Sequence, residues 1–365
     1  MGFKCGIVGL PNVGKSTLFN ALTKTQNAEA ANYPFCTIEP NIGTVSVPDI
    51  RLNELCKIAG SAKIIPSFIE FVDIAGLVKG ASEGEGLGNK FLGHIREVDA
   101  IIHVLRCFED SNIIHVYNDI DPIRDAEIIE AELILSDLES LEKRLKNLEK
   151  KIKTGDKDAK EEIALVEELI LILKQGRQAR ELVNDANESE IKKLNLLTSK
   201  KIMYVCNVSE SDILSGNEYT KKVQSKALKE NAEVIIICSK IEEEIANLGS
   251  KEDQEEFIST LGLDSSGLAK IIFSGFKLLN LSCFFTVGPK EAHSWTFKNG
   301  IFAPEAAGII HTDFEKGFIR AEVIAFEDYK QFNGEAGAKD VGKVRVEGKS
   351  YIVQDGDIMV FRFNV

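Results

Sequence analysis

Short runs of apolar and β-branched residues alternate with longer amphipathic stretches through roughly the first 275 positions. The runs at 4–8, 43–47, 67–74, 100–106, 201–206 and 233–238 have the length and composition of buried strands, and the stretches between most of them have helical spacing. That alternation predicts an α/β domain with a mostly parallel sheet. One region breaks it. Between 122 and 200 there is no strand-like run and no proline after Pro122. Ile134, Leu138, Leu141, Leu145, Leu148 and Ile152 recur at intervals of four and three, a heptad seam. Thr154-Gly155-Asp156 predicts a turn, and a second apolar series follows at Ile163, Val166, Ile170 and Leu173. The pattern reads as an antiparallel helical hairpin inserted into the α/β domain. Beyond about position 280 the pattern shortens to β-like runs at 282–287, 319–326, 343–346, 350–353 and 358–363. The predicted organisation is an α/β domain over 1–121 and 201–278, a hairpin over 122–200, and a small mixed α/β domain over 279–365.

Composition narrows the functional classes. The 365 residues are 44% hydrophobic and 28% charged, with a net charge of −13. Such an acidic chain is not a non-specific DNA coat. A local basic patch is compatible with RNA: Lys143, Arg144, Lys146, Lys150, Lys151 and Lys153 crowd the first hairpin helix near its tip. A solvated coiled-coil face explains the same charges. The cysteines are odd in number, seven, with no C-x-x-C pair, so they read as reduced buried thiols. No leader-like apolar stretch begins the sequence, no apolar run reaches membrane-spanning length, and Gly6 breaks the myristoylation pattern. The expectation is a cytoplasmic protein.

Chemistry enters at Gly9-Leu10-Pro11-Asn12-Val13-Gly14-Lys15-Ser16, which matches G-x-x-x-x-G-K-S throughout. A strand leads in and a helix starting Thr17-Leu18-Phe19 leads out. Glycines let successive N–H groups curl around phosphate oxygens, and the helix N-terminus adds its positive end. Asn12, Val13, Gly14, Lys15, Ser16 and Thr17 are the expected phosphate-side contacts, with Lys15 on the β- and γ-phosphates and Ser16 on Mg²⁺. Phe68 to Gly76 forms an apolar strand ending Asp73-x-x-Gly76, which supplies a second Mg²⁺ carboxylate in Asp73. Gly76, Gly80, Gly84, Gly86 and Gly88 follow in a segment rich enough in glycine to act as a switch loop. Thr37, in Tyr33-Pro34-Phe35-Cys36-Thr37, is the candidate to close onto Mg²⁺.

Two positions depart from the ordinary GTPase pattern. Leu77 follows Gly76 where glutamine orients the attacking water. Another group must do so, and His115 is preferred over His94. Guanine is read by N-K-x-D after a strand. Here the strand 201–206 is followed by Asn207-Val208-Ser209-Glu210. The asparagine can still bond a purine N7, but the paired acceptor for guanine is altered, so adenine becomes a candidate through the Val208 backbone. Ser239 follows the strand ending at Cys238, where the last base-flanking loop belongs.

Taken together, G-L-P-N-V-G-K-S-T, Y-P-F-C-T-I-E-P-N, D-I-A-G-L-V-K-G-A and N-V-S-E resemble the Obg-like ATPases, the YchF-type branch of the translation-factor class of P-loop GTPases. The resemblance spans essentially the whole chain. Phe285 to Phe297 (F-x-V-G-P-K-E-A-H-S-W-T-F) is similar to part of the TGS module, a β-grasp fold. The resemblance implies hydrolysis of ATP in preference to GTP, association with the ribosome, and a role in translation or stress. It also implies Mg²⁺ ligands at Ser16 and Thr37, an adenine contact at Val208, and a water-positioning histidine at His115. Asn12 resembles its counterpart in cation-dependent relatives in which K⁺ assists the transition state. Two further readings remain open: a true GTPase that tolerates N-V-S-E, and a nucleotide-gated RNA- or ribosome-binding module whose hydrolysis is incidental.

Overall fold

The computed structural model describes residues 3–30, 42–74, 87–113 and 119–364. Its strands are β1 (Lys4–Val8), β2 (Ile42–Ser46), β3 (Ile64–Ile65), β4 (Phe68–Asp73), β5 (Ala100–Arg106), β6 (Lys201–Asn207), β7 (Glu233–Ile237), β8 (Leu281–Val287), β9 (Ala292–Lys298), β10 (Phe318–Ala325), β11 (Arg345–Glu347) and β12 (Asp357–Phe363). The chain forms two compact units, one of Phe3–Gly43 with Glu70–Ile271, the other of Thr44–Ile69 with Ile272–Val365.

In the first unit the strands run β4-β1-β5-β6-β7, and the pairings β1 with β4, β1 with β5, β5 with β6 and β6 with β7 are all parallel. Burial explains the near-continuous apolar runs: every residue of β5 is buried, as are Ile202 to Asn207 of β6. Parallel strands put all their C-terminal ends on one edge, the usual place for a ligand in an open α/β sheet. The P-loop follows β1, Asp73 ends β4, and Asn207 ends β6.

The helical hairpin forms as its periodicity predicts. Helices Pro122–Lys153 and Lys157–Lys174 are joined by a turn in which Gly155 takes φ 91°. Pro122 fits the first turn, where its missing N–H is not needed, and Asp121 caps it by accepting from Ile123 and Arg124. Asp156 caps the second helix. Ile134, Leu141 and Leu148 meet Val166, Leu169, Ile170 and Leu173 in a buried seam. The basic side chains from Lys143 to Lys153 lie exposed outside it. At the hairpin's root Asp137 is fully buried and accepts from the Leu197 and Thr198 amides and the Thr198 hydroxyl, at 2.6–2.9 Å. Tyr204 of β6 donates within 2.7 Å of both Glu130 and Glu230, and Lys226 pairs with both carboxylates.

The second unit holds a mixed sheet ordered β11-β10-β12-β8-β9-β3. An antiparallel β8–β9 hairpin, the helix Ala303–Ile310, and β12 running parallel beside β8 give a β-grasp arrangement. Two features differ from the sequence expectation. Residues 44–69 group with this unit, because Leu52 and Leu55 of helix Ile50–Ala59 pack with Cys283, Phe285, Ile324 and Ile358, and β3 pairs with β9. The β-like run at 350–353 makes only one bridge, Ile352 with Phe302, while β9 takes up Ala292-His293-Ser294-Trp295-Thr296-Phe297 and ends one residue later at Lys298.

Candidate active site

The P-loop is shaped by two glycines that admit no substitute. A Cβ on Gly9 would stand 2.5 Å from the Val104 carbonyl oxygen. Gly14 has φ 100°, and its Cβ would stand 2.3 Å from Asn207 Nδ2. Asn12 also takes a left-handed φ of 63°, a conformation asparagine tolerates better than most residues. The helix Lys15–Ala30 begins at once, with the Leu18 amide bonded to the Gly14 carbonyl at 3.0 Å.

Lys15 is buried and donates from Nζ to the Leu10 carbonyl at 2.7 Å. Burial lowers its pKa to about 8, against the opposing pull of Asp73, so the ammonium form still dominates at neutral pH. Burial raises the Asp73 carboxyl above the usual range, and Lys15 and Ser16 hold it back. Ser16 Oγ lies 3.4 Å from Asp73 Oδ2. The other oxygen, Asp73 Oδ1, is buried with no hydrogen-bond partner among the described residues. A hydroxyl and a half-satisfied carboxylate at the end of β4 form an oxygen-donor pair of the kind a hard divalent cation takes. Thr37, Gly76, Leu77 and His115 lie outside the described residues.

On the base side, Asn207 is buried and braces two loops. Its Nδ2 donates to the Val13 carbonyl at 2.9 Å, and its Oδ1 accepts from the Ser239 amide at 2.9 Å. Asn207 thus fixes the P-loop against both base-side loops before any purine contact, and one amide hydrogen is left over for a base. The Val208 N–H donates to the Ile237 carbonyl at 2.8 Å and is engaged within the protein. The Val208 side chain is buried, and Glu210 starts a short 3₁₀ turn, Glu210–Asp212, with its side chain exposed. Ser239 Oγ is buried and has no partner among the described residues.

Sequence reading missed the residues that hold these loops. Arg106, buried at the end of β5, donates to the carbonyls of Phe108, Asp110 and Ile113 at 3.0–3.2 Å and lies over the Phe108 ring. A charged residue closing a strand that is apolar but for His103 was its sequence signal. Asn217 and Asp212 tie the 3₁₀ turn to the end of β5. An asparagine ahead of a helix suggests a cap and nothing more.

A parallel sheet with a P-loop, an acidic strand end and a buried asparagine bracing the loops on one edge defines a P-loop nucleotide hydrolase of the GTPase type. Comparison with known proteins agrees. Residues 4–168 match the model of the 50S ribosome-binding GTPase family, and 281–364 match YchF-GTPase_C, described as a protein of unknown function, DUF933. The chain is 56% identical to the Ribosome-binding ATPase YchF of Haemophilus influenzae over 366 residues, and 54% identical to that of Bacillus subtilis over 368, covering both partners fully. The solved structure of the Schizosaccharomyces pombe YchF GTPase superposes with a TM-score of 0.90 at 41% identity, over 99% of this chain and 98% of that one. The chain belongs to the YchF family. Among its described residues no helix is long and apolar enough to cross a membrane.

Proposed function

We propose that this protein hydrolyses ATP, in preference to GTP, to ADP and phosphate in a Mg²⁺-dependent reaction, and acts as a ribosome-associated switch in the cytoplasm. The carrying observation is the base turn. Asn207 is tied into the P-loop, Val208 is buried in place of the expected lysine, and Glu210 is exposed, which leaves no carboxylate held ready for guanine's paired N–H groups. The relatives named ribosome-binding ATPases support the same reading.

Ser16 and Asp73 would hold Mg²⁺, with Thr37 completing the set. The ion would supply charge neutralisation for the phosphates. Lys15 brings a protonated amine into a buried site, where its charge acts at reduced screening on the transferring phosphoryl group. The backbone amides of Asn12 to Thr17 orient the phosphates, and Asn12 contributes to a K⁺ requirement that a comparison of turnover in Na⁺ and K⁺ checks. His115 takes the water-orienting role that Leu77 cannot. Lys15→Ala should abolish hydrolysis and weaken nucleotide binding, and unchanged turnover would overturn the site. Leu77 makes slow intrinsic turnover the expectation. Turnover measured with and without ribosomes separates a coupled ATPase, which is strongly stimulated, from a gated binding module, which is not.

A further inference from the structure

The side chain of Asn217 does more than its position requires. It precedes the helix Glu218–Lys229, and its Oδ1 accepts from the Tyr219 and Thr220 amides at 3.0 and 3.1 Å. A serine or aspartate would cap equally well. The amide end of the same side chain donates to the Cys107 carbonyl at 2.7 Å and to Asp212 Oδ2 at 2.8 Å. Both of its donor hydrogens and its acceptor oxygen are therefore engaged, a combination only an amide supplies.

These bonds close a ring around the base turn. The Cys107 amide donates to the Asn207 carbonyl at 2.8 Å, and the Cys107 carbonyl accepts from Asn217. Asn217 then bonds Asp212, and Asp212 Oδ2 accepts from Ser209 Oγ at 2.9 Å. The chain from Ser209 back to Asn207 completes the circuit. The approach to Asn217 is itself fixed: Gly216 has φ 66°, a Cβ there would stand 2.4 Å from Thr220 Oγ1, and the Asn217 amide donates to that same oxygen at 2.8 Å. The ring also engages the only carboxylate close downstream of Glu210, that of Asp212, on Ser209 and Asn217.

We infer that Asn217 is a positioning residue for base selection, holding the Asn207–Asp212 turn in its adenine-accepting form and keeping the Asp212 carboxylate from accepting a guanine edge. This deepens the ATP reading above and rests on it. Asn217→Ser keeps a capping acceptor and removes both amide donors. Losing a hydrogen bond to a charged group is worth about tenfold or more. The expected result is about a tenfold rise in Kd for a slowly hydrolysed ATP analogue, with a smaller change or a fall in Kd for the GTP analogue. Asp212→Ala opens the ring without touching the cap, and should weaken ATP analogue binding with no gain for the GTP analogue, since it leaves no carboxylate behind. Thermal midpoints of both variants report folding; if Asn217→Ser does not fold, Asp212→Ala alone decides, and an unchanged ATP Kd in it overturns the inference. Nucleotide affinities unchanged in both variants, or a rise in Kd by the same factor for both nucleotides in Asn217→Ser, overturns it as well. The wild-type titration judges the ATP reading separately: a wild type that prefers GTP defeats that reading, while the shift in ratio from wild type to variant still judges the role of Asn217.

Discussion

Asn207 offers the sharpest energetic test of how the site is assembled. Its side chain makes two bonds of 2.9 Å, to the Val13 carbonyl and from the Ser239 amide, and both partner residues are almost wholly buried. Ser239 opens the helix Ser239–Asn247, so its N–H has no acceptor within that helix. Asn207→Ala would strand both groups. Each buried polar group left unsatisfied costs about 1–3 kcal/mol, so the pair gives a loss of about 2–6 kcal/mol. That is a large part of the roughly 5–15 kcal/mol that holds a domain folded. Urea titration followed by far-UV circular dichroism measures it. The single tryptophan, Trp295, lies in the second unit and gives a separate probe there by its fluorescence. Asn207→Asp keeps an acceptor for Ser239 but sets a buried carboxylate oxygen against the Val13 carbonyl, and should recover none of the loss. A destabilisation by Asn207→Ala below about 0.5 kcal/mol, with ATP affinity intact, would refute the claim that this asparagine ties the P-loop to the base-side loops.

Two further outcomes concern stability. His103 lies buried in β5, and burial, reinforced by the charges of Lys226, Arg180 and Lys15, lowers its pKa to about 3. The unfolded chain takes up this proton below about pH 6.5 and the folded chain does not, so His103 makes stability fall as pH drops from 6.5 toward 3, by at most about 1.4 kcal/mol per pH unit. The difference between wild type and His103→Leu in urea melts from pH 7 to pH 4 isolates that slope, and a difference independent of pH would contradict it. Gly93 sits inside the helix Leu87–Glu97 with nothing within 4 Å of where a Cβ would stand. Gly93→Ala should therefore stabilise the protein by about 0.5–1 kcal/mol, seen as a higher thermal midpoint, and a lower midpoint would show a hidden clash.

Much of the fold could be read from pattern because the physics there is local. The heptad seam specified the hairpin, since Ile134, Leu141 and Leu148 must be buried somewhere and a second helix of matching period follows within a short turn. The P-loop was legible because its glycines answer to a close approach and a left-handed φ that few sequences would supply by chance. What escaped is what depends on distant partners. Helix Ile50–Ala59 looked like part of the α/β rhythm, and only its contacts with Cys283, Phe285 and Ile358 assign it to the second unit. Strand β9 alternates polar and aromatic residues, a pattern that becomes a strand through its pairing with β8. At the site, Asn207 was expected to face the purine, and the structure engages most of its hydrogen-bonding capacity inside the protein. Asn217 gave no sign of its link to Cys107, 110 positions away in sequence.

The central claim is that the Asn207-Val208-Ser209-Glu210 turn accepts adenine rather than guanine. The most direct test is a side-by-side titration of the purified protein with slowly hydrolysed ATP and GTP analogues in Mg²⁺. The account predicts clearly tighter binding of the ATP analogue. Equal affinity, or a preference for the GTP analogue, would contradict it.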